Sequence, residues 1–394
     1  MNPTPPAPAV RPEELDPSCA GTVSESFRPV VLDPDRDEDA AALDALLTSP
    51  GLREVHDRID EQLAELVHCL HPGESFTPDA LAAAVLAARE GKSSRAYGSW
   101  VWYPWSGRLV HVLPEEEFRL VRTDRNRDKI TRVEQRCLLG RTIGVIGLSV
   151  GSSAALTCAM EGVGGRFRLA DFDRMSLSNL NRLRAGVHEL GVEKTVLCAR
   201  RMYELDPYLD VEVHRRGLDE ESVGEFFGPV GAPGGLDLLI EECDTPWAKV
   251  AAREHARARR IPVLMDANDR GLLDVERFDL EPGRPLFHGR IGDTTSAEVR
   301  GLDRAGLVRF LLEIVDETRI SPAMAEALPR IGRTLSSWPQ LASGVMLGGA
   351  LVADTARRLL LGQPVPSGRT YVDLEELVPA AAGPAEVHAA GAVR

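Results

Sequence analysis

Residues 142–182 read TIGVIGLSVGSSAALTCAMEGVGGRFRLADFDRMSLSNLNR. The run Thr142 to Ile146 is short, rich in β-branched residues and bounded by a glycine, a pattern typical of a strand buried on both faces of a parallel sheet. Gly147 to Ser152 is a turn of small residues, and Ala154 to Met160 continues as a helix. Such a turn aims backbone N–H groups and a helix N-terminus at the space beyond the end of the strand. The stretch therefore predicts an anion-binding site.

The glycine pattern alone does not identify the ligand. The dinucleotide-binding fingerprint asks for glycine at three positions. These positions hold Gly147, Ser149 and Ser152, with Gly151 out of phase. Serine is small enough to be tolerated there. A second strand, Phe167 to Ala170, ends in Asp171, at about the distance where nucleotide-binding folds place an acid on the ribose hydroxyls. On these residues NAD and ATP fit equally well.

The loop after the second strand carries two acids, an amide and an arginine. They are Asp171, Asp173, Asn179 and Arg182. This run closely resembles the signature of the ThiF/MoeB/HesA family, the ATP-using adenylyltransferases related to ubiquitin-activating enzymes. A hydride-transfer enzyme has no use for a guanidinium and an amide near a triphosphate. An enzyme that splits ATP between its α- and β-phosphates must neutralise the departing pyrophosphate. The resemblance covers roughly residues 122–362 and looks like a divergent bacterial branch of the family.

The resemblance implies a role for each candidate site residue. The nucleotide would lie on the turn formed by Gly147, Ser149, Gly151 and Ser152, and Asp171 or Asp173 would hold the ribose. Charge on the phosphates would be stabilised by Arg127, Asn179, Arg182 and Lys194. Lys194 lies in the Gly-x-x-Lys setting of the family. Arg127 lies in its Asn-Arg context, with Arg125 as the alternative; in the family this arginine reaches the γ-phosphate, often across a dimer interface.

A second group of polar residues follows a later strand. Leu236 to Ile240 is read as that strand, and it runs into Glu241, Glu242, Cys243 and Asp244, whose side chains predict a cation site at the rim of the sheet. By resemblance Asp244 is the magnesium ligand. No cysteine follows Cys243, so a thioester relay is not expected. The family places the activated carboxylate beyond the next strand, which makes Asn268, Asp269 and Arg270 candidate acceptor contacts.

Strands alternate with helices from residue 142 to residue 265, which predicts a doubly wound, mostly parallel α/β sheet of the Rossmann type with an antiparallel extension over 271–289. Upstream, Leu52 to Leu70 has helical spacing, and Tyr97 to Leu113 reads as an aromatic hairpin, giving a smaller, mainly helical domain. The predicted organisation is a disordered tail at 1–20, this N-terminal domain at 21–121, a ThiF-like adenylation domain at 122–365 and a C-terminal tail at 366–394.

Composition narrows the class of protein. With 394 residues and 43% apolar residues, the chain is long enough for two domains with a sizeable core. A net charge of −14 argues against nucleic acid or an anionic membrane as a partner. The six cysteines contain no C-x-x-C pair, which favours a reduced protein without the structural zinc of many family members. No signal peptide or long apolar run is seen, so we expect a cytoplasmic protein.

Together these observations predict an enzyme, an adenylyltransferase that depends on ATP and Mg²⁺. It would convert a carboxylate into an acyl-adenylate, release pyrophosphate and leave the adenylate to an external nucleophile. The carboxylate is the C-terminal glycine of a carrier protein, or a small-molecule or peptide acid, and a homodimer is expected by resemblance. Two other classes remain. An NAD(P)-dependent oxidoreductase is disfavoured by Asn179, Arg182 and Asp244; a noncatalytic nucleotide-binding scaffold is made credible by the lost glycines.

Overall fold

The computed structural model describes residues 25–229 and 234–378. The tail predicted for residues 1–20 lies outside this range, and so does the part of the predicted C-terminal tail beyond residue 378. Within it the chain divides into two compact units. The first includes the chain up to residue 131 together with 172–180 and 184–215. The second includes 132–171, 181–183 and the chain from residue 216 onward.

The first unit contains a four-stranded sheet with helices. The strands are β1 (Val30–Leu32), β2 (Glu54–Asp57), β3 (Ser99–Tyr103) and β4 (Arg108–Val112), in the order β1-β3-β4-β2. The helices are α1 (Asp37–Leu47), α2 (Ile59–Leu70), α3 (Pro78–Ala88) and α4 (Glu115–Arg122). β3 and β4 pair antiparallel, which confirms the aromatic hairpin. Trp100 of β3 is buried and stacks on the buried ring of His111 in β4, so these aromatic residues belong to the core of this unit.

One local prediction in this unit is wrong. The helix predicted over residues 52–70 begins only at Ile59, because residues 54–57 form β2. β2 pairs in parallel with β4, with Val55 opposite Leu109, and this pairing satisfies main-chain groups that a helix would have bonded internally. The Asp57 carboxylate then accepts the N–H of Ile59 at 3.3 Å, where the helix begins. The helical spacing therefore holds from Ile59 onward, where Leu63 and Leu66 are buried.

The second sheet has seven strands in the order β11-β10-β9-β8-β5-β6-β7. Its strands are β5 (Thr142–Ile146), β6 (Arg166–Ala170), β7 (Asp210–His214), β8 (Leu238–Glu241), β9 (Val263–Ala267), β10 (Leu272–Glu276) and β11 (Gly368–Tyr371). The helices along this part of the chain are α5 (Arg132–Leu139), α6 (Gly151–Glu161), α7 (Lys194–Leu205), α8 (Val223–Phe227), α9 (Pro246–Arg259), α10 (Ser296–Arg300), α11 (Arg304–Val315), α12 (Pro322–Ala327), α13 (Ala342–Leu360) and α14 (Leu374–Leu377). No helix within the described ranges is long and apolar enough to cross a membrane.

The central strands follow the predicted arrangement. β5 lies between β6 and β8, pairs in parallel with both, and is buried at all five positions. β8 pairs in parallel with β9. The mostly parallel α/β sheet is therefore confirmed, and because these strands run the same way, the residues after β5, β6, β8 and β9 lie along one edge.

The far side of the sheet is antiparallel. β10 pairs antiparallel with β9, as predicted for the extension. β11 pairs antiparallel with β10 and lies within the segment that we assigned to a C-terminal tail, so the fold continues beyond residue 365. The open edge of β10 supplies the backbone partners, and Arg369 donates through Nε to Asp274 at 2.6 Å. This pairing explains why residues 368–371 form a strand rather than a tail.

Helix α13 packs on α6, β9 and β10 through glycines. A Cβ atom at Gly349 would lie 2.4 Å from Oγ of Ser153 in α6, and one at Gly348 would lie 2.1 Å from Oδ2 of Asp266 in β9. Real Cβ atoms do not approach heavy atoms so closely. The absence of side chains at these two positions lets the backbone of α13 lie directly against the first turn of α6 and the end of β9.

Candidate active site

Within the second unit, the turn after β5 is fixed by its neighbours on both sides. Gly147 has φ +84°, in the left-handed region that favours glycine. Its N–H donates to the carbonyl of Ala170 at 2.9 Å. A Cβ atom here would lie 2.6 Å from the backbone of Glu242 and of Cys243 after β8. Gly147 is therefore required both by its conformation and by the close approach of another segment.

The start of α6 is packed in the same way. Gly151 is its first residue, and a Cβ atom there would lie 2.8 Å from Cγ1 of Val145. Ser149 and Ser152 are half-buried on this turn. The N–H of Gly151 donates to the carbonyl of Gly147 at 3.1 Å and that of Ser153 to the carbonyl of Val150 at 2.9 Å, so part of this turn is bonded internally. The helix dipole still makes the N-terminus of α6 suit an anion. Glycine at Gly147 and Gly151 is needed for packing.

Asp171 is part of the turn itself. It follows β6, and its Oδ2 accepts the N–H of Leu148 at 2.6 Å. A carboxylate that accepts a backbone N–H holds the segment that carries this N–H, so Asp171 ties the end of β6 to the turn after β5. Four of the predicted residues thus lie close together. Gly147, Ser149 and Gly151 are on the turn, and Asp171 is bonded to it through Leu148.

Four further candidate residues lie in the first unit: Arg127, Asp173, Asn179 and Lys194. Lys194 begins α7, is only 4% exposed, and its Nζ donates to Oδ2 of Asp173 at 2.6 Å. A buried ammonium is stable when it is paired, and Asp173 provides this pairing. Asn179 is buried, and its Oδ1 accepts from the N–H and the hydroxyl of Ser176 at 3.1 and 2.9 Å. Asn179 therefore shapes the polar loop through its carbonyl oxygen.

The two candidate arginines differ in environment. Arg182, in the second unit, is half-buried, and burial lowers the pKa of its guanidinium. Its Nη1 donates to Oδ1 of Asn181 at 2.9 Å, and Asn181 in turn donates to the carbonyl of Gln340. Arg127, in the first unit, follows a short turn, and its Nη1 lies 3.3 Å from Oδ1 of Asp124. Arg127 is the more exposed of the two.

The residues predicted to form a cation site after β8 differ in burial and charge. Glu241 is fully buried and lies 3.1 Å from Nζ of Lys249 and 2.5 Å from Nη1 of Arg253. Burial opposes the ionisation of Glu241, but the two positive charges outweigh it and lower its pKa. Cys243 is held as a thiol, because burial and Glu241 raise its pKa well above the usual range. Asp244 is the exposed carboxylate of the four residues.

The ion pairs around Arg253 were not predicted. Arg253 is fully buried, bridges Glu241 and Glu276 with distances of 2.5 Å to each, and lies over the ring of Phe287 at 3.8 Å. Lys249 and Arg253 are four residues apart on α9, so they share one helix face. That spacing, after a strand that ends in Glu241, is the sequence signal that could have revealed the network.

A second unpredicted feature is a pair of carboxyl groups, Glu242 and Asp266. Oε1 of Glu242 accepts the N–H of Asp266 at 2.8 Å. Asp266 is buried, and neither of its carboxyl oxygens has a hydrogen-bond partner in residues 25–229 and 234–378. Burial raises the pKa of Asp266 to about 7, and burial together with the Asp266 carboxyl raises that of Glu242 well above its usual range. The pair lies beside the Gly151 turn, since Cγ of Glu242 is 3.4 Å from the Cβ position of Gly151.

Two of the three candidate acceptor contacts after β9, Asp269 and Arg270, have partners within the fold, while Oδ1 of Asn268 is buried without a hydrogen-bond partner among the described residues. Asp269 accepts the N–H and the hydroxyl of Ser321 at 2.8 and 2.6 Å, at the start of α12. Arg270 pairs with Asp373 at 2.7 Å and also with Glu376. These side chains are engaged in ion pairs and helix capping. The described residues contain no group of three or more His, Cys, Asp or Glu side chains placed to hold a metal ion.

Comparison with known proteins gives three consistent matches. The model of the ThiF family matches residues 123–372. The uncharacterized protein MT1398 of Mycobacterium tuberculosis is 44% identical over 345 residues, which cover 88% of this chain and 45% of that protein. The tRNA threonylcarbamoyladenosine dehydratase of Bacillus subtilis is 30% identical over 241 residues, 58% of this chain and 92% of the relative. This chain thus spans less than half the length of MT1398.

Among solved structures, the E. coli tRNA N6-threonylcarbamoyladenosine dehydratase TcdA in complex with ATP aligns with a TM-score of 0.44 at 17% identity. The alignment covers 61% of this chain and 94% of TcdA. All eleven candidate site residues, from Arg127 to Asp244, fall inside the segment that the family model matches.

Proposed function

Since the chain belongs to the ThiF family, we propose that it is an ATP-dependent adenylyltransferase that activates a carboxylate as an acyl-adenylate. A carboxylate oxygen attacks the α-phosphorus of ATP, the bond between the α-phosphorus and the bridging oxygen breaks, and pyrophosphate leaves. The observation that carries the proposal is the family match over residues 123–372, which contains the turn, the polar loop and Asp244. The acyl-adenylate is then attacked by an external nucleophile.

In this proposal the nucleotide phosphates lie at the turn from Gly147 to Ser152, where the positive end of the α6 helix dipole favours negative charge. Asp171 already accepts the N–H of Leu148, which supports a role in holding the turn in addition to a role at the ribose. Asp173, which is exposed, is the alternative ribose contact. Neither Asp171 nor Asp173 needs to act as a general base, because a carboxylate substrate is already ionised at neutral pH.

Stabilisation of negative charge on the departing pyrophosphate is assigned to Arg127, Arg182 and Lys194. Lys194 is held by Asp173, so its side chain has little freedom to lose on ATP binding, which supports its assignment to the phosphates. Asn179 uses its carbonyl oxygen within the loop, which supports the assignment of its amide nitrogen as a donor to the phosphates. Catalysis in this scheme is positioning plus charge stabilisation, as in other phosphoryl and nucleotidyl transfers.

The proposal includes Mg²⁺ bound with ATP. Asp244 is an exposed carboxylate, while Glu241 is neutralised by Lys249 and Arg253. One carboxylate fits Mg²⁺, which keeps several waters and takes most other ligands from substrate phosphates. The ion would supply neutralisation of phosphate charge, and Asp244 would position it. A homodimer and a cytoplasmic location complete the proposal; size-exclusion chromatography and cell fractionation test them.

The test is ATP–pyrophosphate exchange with Mg²⁺ on the purified protein, screened against small carboxylic acids and peptides ending in Gly-Gly. Exchange that depends on one acid supports adenylation and names the substrate class. Isothermal titration with ATP and with NAD accompanies the screen. Tight NAD binding without ATP binding would support an oxidoreductase, and ATP binding without exchange for any acid would favour a noncatalytic nucleotide-binding protein.

The variant Asp244→Asn tests the role of a single residue in this exchange reaction. It should lower the exchange rate at least about a hundredfold, because the variant loses the charge that positions Mg²⁺, while its thermal unfolding stays unchanged. Arg182→Ala should lower the rate by a similar factor. The matched control is Glu116→Gln, an exposed carboxylate at the start of α4, which should keep full activity. Full exchange activity in Asp244→Asn would refute the metal assignment.

A further inference from the structure

A cleft of about 850 Å³ opens in the second unit at the edge of the sheet opposite the Gly147 turn. It is lined by residues that precede β5, β8 and β9, by the first residue of β6, by α5 and by the end of α13. β6 and β8 run parallel to β5, and β9 runs parallel to β8, so these residues mark the amino edge of the sheet. The five residues of β5 separate the two edges by about 16 Å. The cleft is therefore distinct from the nucleotide site.

Two of the carboxylates that line the cleft are already neutralised. Asp237 pairs with Arg141 at 3.0 Å, and its other oxygen accepts the N–H of Thr142 at 2.8 Å. Asp279 accepts from Nε and Nη2 of Arg277 at 2.9 and 2.7 Å. Both carboxylates thus have an arginine partner and contribute no excess negative charge.

Three other arginines on the cleft wall are not paired with a carboxylate of the described residues. Arg166 donates to the hydroxyl of Thr142 and the carbonyl of Gly140, both at 2.9 Å. Arg259 donates to the carbonyl of Gly228 at 3.2 Å and contacts His255. These acceptors are uncharged, so they orient the guanidinium groups without neutralising them. Arg260 is exposed and has no carboxylate partner in the part of the chain that the structure describes.

Against these three arginines the wall holds one further carboxylate, Glu134 of α5. The cleft therefore carries an excess of two positive charges in a protein whose net charge is −14. A concave surface concentrates such a field and raises the local concentration of anions. The rest of the wall is apolar and includes Leu236, Ile261 and Leu360. The volume lies within the range of small-molecule sites.

We propose that this cleft is a second binding site for a small organic anion, with a phosphate or carboxylate head group on Arg166, Arg259 and Arg260 and an apolar body against Leu236 and Ile261. Phosphate and carboxylate share the charge-assisted, bidentate recognition that guanidinium groups provide. The site is independent of adenylation and requires no residue of the nucleotide turn.

The test uses the amphiphilic anion 8-anilinonaphthalene-1-sulfonate, whose fluorescence rises on binding, with the full chain at low ionic strength. The double variant Arg166→Gln/Arg260→Gln should weaken binding of the dye at least about tenfold, since it removes two charge-assisted contacts. Both arginines are exposed, so these changes leave the core intact. The uncharged analogue N-phenyl-1-naphthylamine should bind the variant and the natural chain with about equal affinity.

Arg257→Gln is the control, because Arg257 lies in the last turn of α9, just before Arg260, does not line the cleft, and contacts the carbonyl of Arg284. It should leave dye affinity unchanged. Competition then distinguishes the head groups: displacement by octyl phosphate or by octanoate supports the site and names its preference. Unchanged dye affinity in the double variant, equal weakening in Arg257→Gln, or equal displacement by octanol would each overturn the proposal.

Discussion

Asp266→Asn should change how stability depends on pH. Asp266 is 7% exposed, lies against the backbone of α13 at Gly348, and has a pKa raised by burial from 3.8 to about 7. Between pH 5 and pH 7 the folded protein therefore keeps a proton that the unfolded chain has released. The free energy of unfolding therefore falls as the pH rises through this interval, by roughly 1 kcal/mol for each unit, because the folded protein must release the proton that burial favours.

The amide that this substitution introduces would carry no charge at either pH, and it has nearly the shape of the carboxyl group that it replaces. We compare the free energy of unfolding of the Asp266→Asn variant with that of the natural chain. This difference should favour the variant by about 2–3 kcal/mol more at pH 8 than at pH 5. Urea denaturation at the two pH values, followed by tryptophan fluorescence, measures this difference. Asp293→Asn, at an exposed position, is the control and should show the same stability change at both pH values. A pH-independent effect of Asp266→Asn would refute the reasoning.

Two further substitutions test the packing of the sheet and the turn. Arg253→Met should lower the free energy of unfolding by about 3–5 kcal/mol, because it leaves Glu241 and Glu276 buried without their shared guanidinium; a loss below about 1 kcal/mol in urea denaturation would contradict this. Gly147→Ala should weaken ATP binding at least about tenfold by isothermal titration, since φ is +84° and Cβ would lie 2.6 Å from backbone atoms. Gly91→Ala, with φ +83° and nothing within 4 Å, should leave ATP affinity unchanged.

Much of the sheet could be predicted because its signals are local. The β-branched run that forms β5, the break at Gly147 and the apolar helix that follows are adjacent in sequence, and the strand bounds at Thr142 and Ile146 match the structure. The helical spacing before Leu70 is equally local, but the helix itself begins only at Ile59. Pairing of β2 with β4, some fifty residues later, decided the conformation of residues 54–57, and no short window of sequence contains that information.

The side-chain networks depend on the order of strands and could not be read in advance. Glu242 meets Asp266 because β8 and β9 are neighbours, and Arg253 meets Glu276 because α9 packs near β10. From sequence alone, Glu241 to Asp244 form one acidic group at a strand end. The structure separates them by burial, so Glu241 is neutralised inside the sheet while Asp244 is exposed. Alternation of strands and helices does not predict this separation.

The glycine contacts of α13 also set the order of events during synthesis. Gly349 lies against Ser153 and Gly348 against Asp266, so the turn after Gly147 acquires its final support from a helix almost two hundred residues further along the chain. A ribosome adds about 5–20 residues each second, so the nascent chain carries β5 and α6 for roughly 10–40 s before α13 is made. During that interval the face of α6 that packs against α13 is uncovered. Chaperone binding to the nascent chain should therefore persist until α13 has emerged.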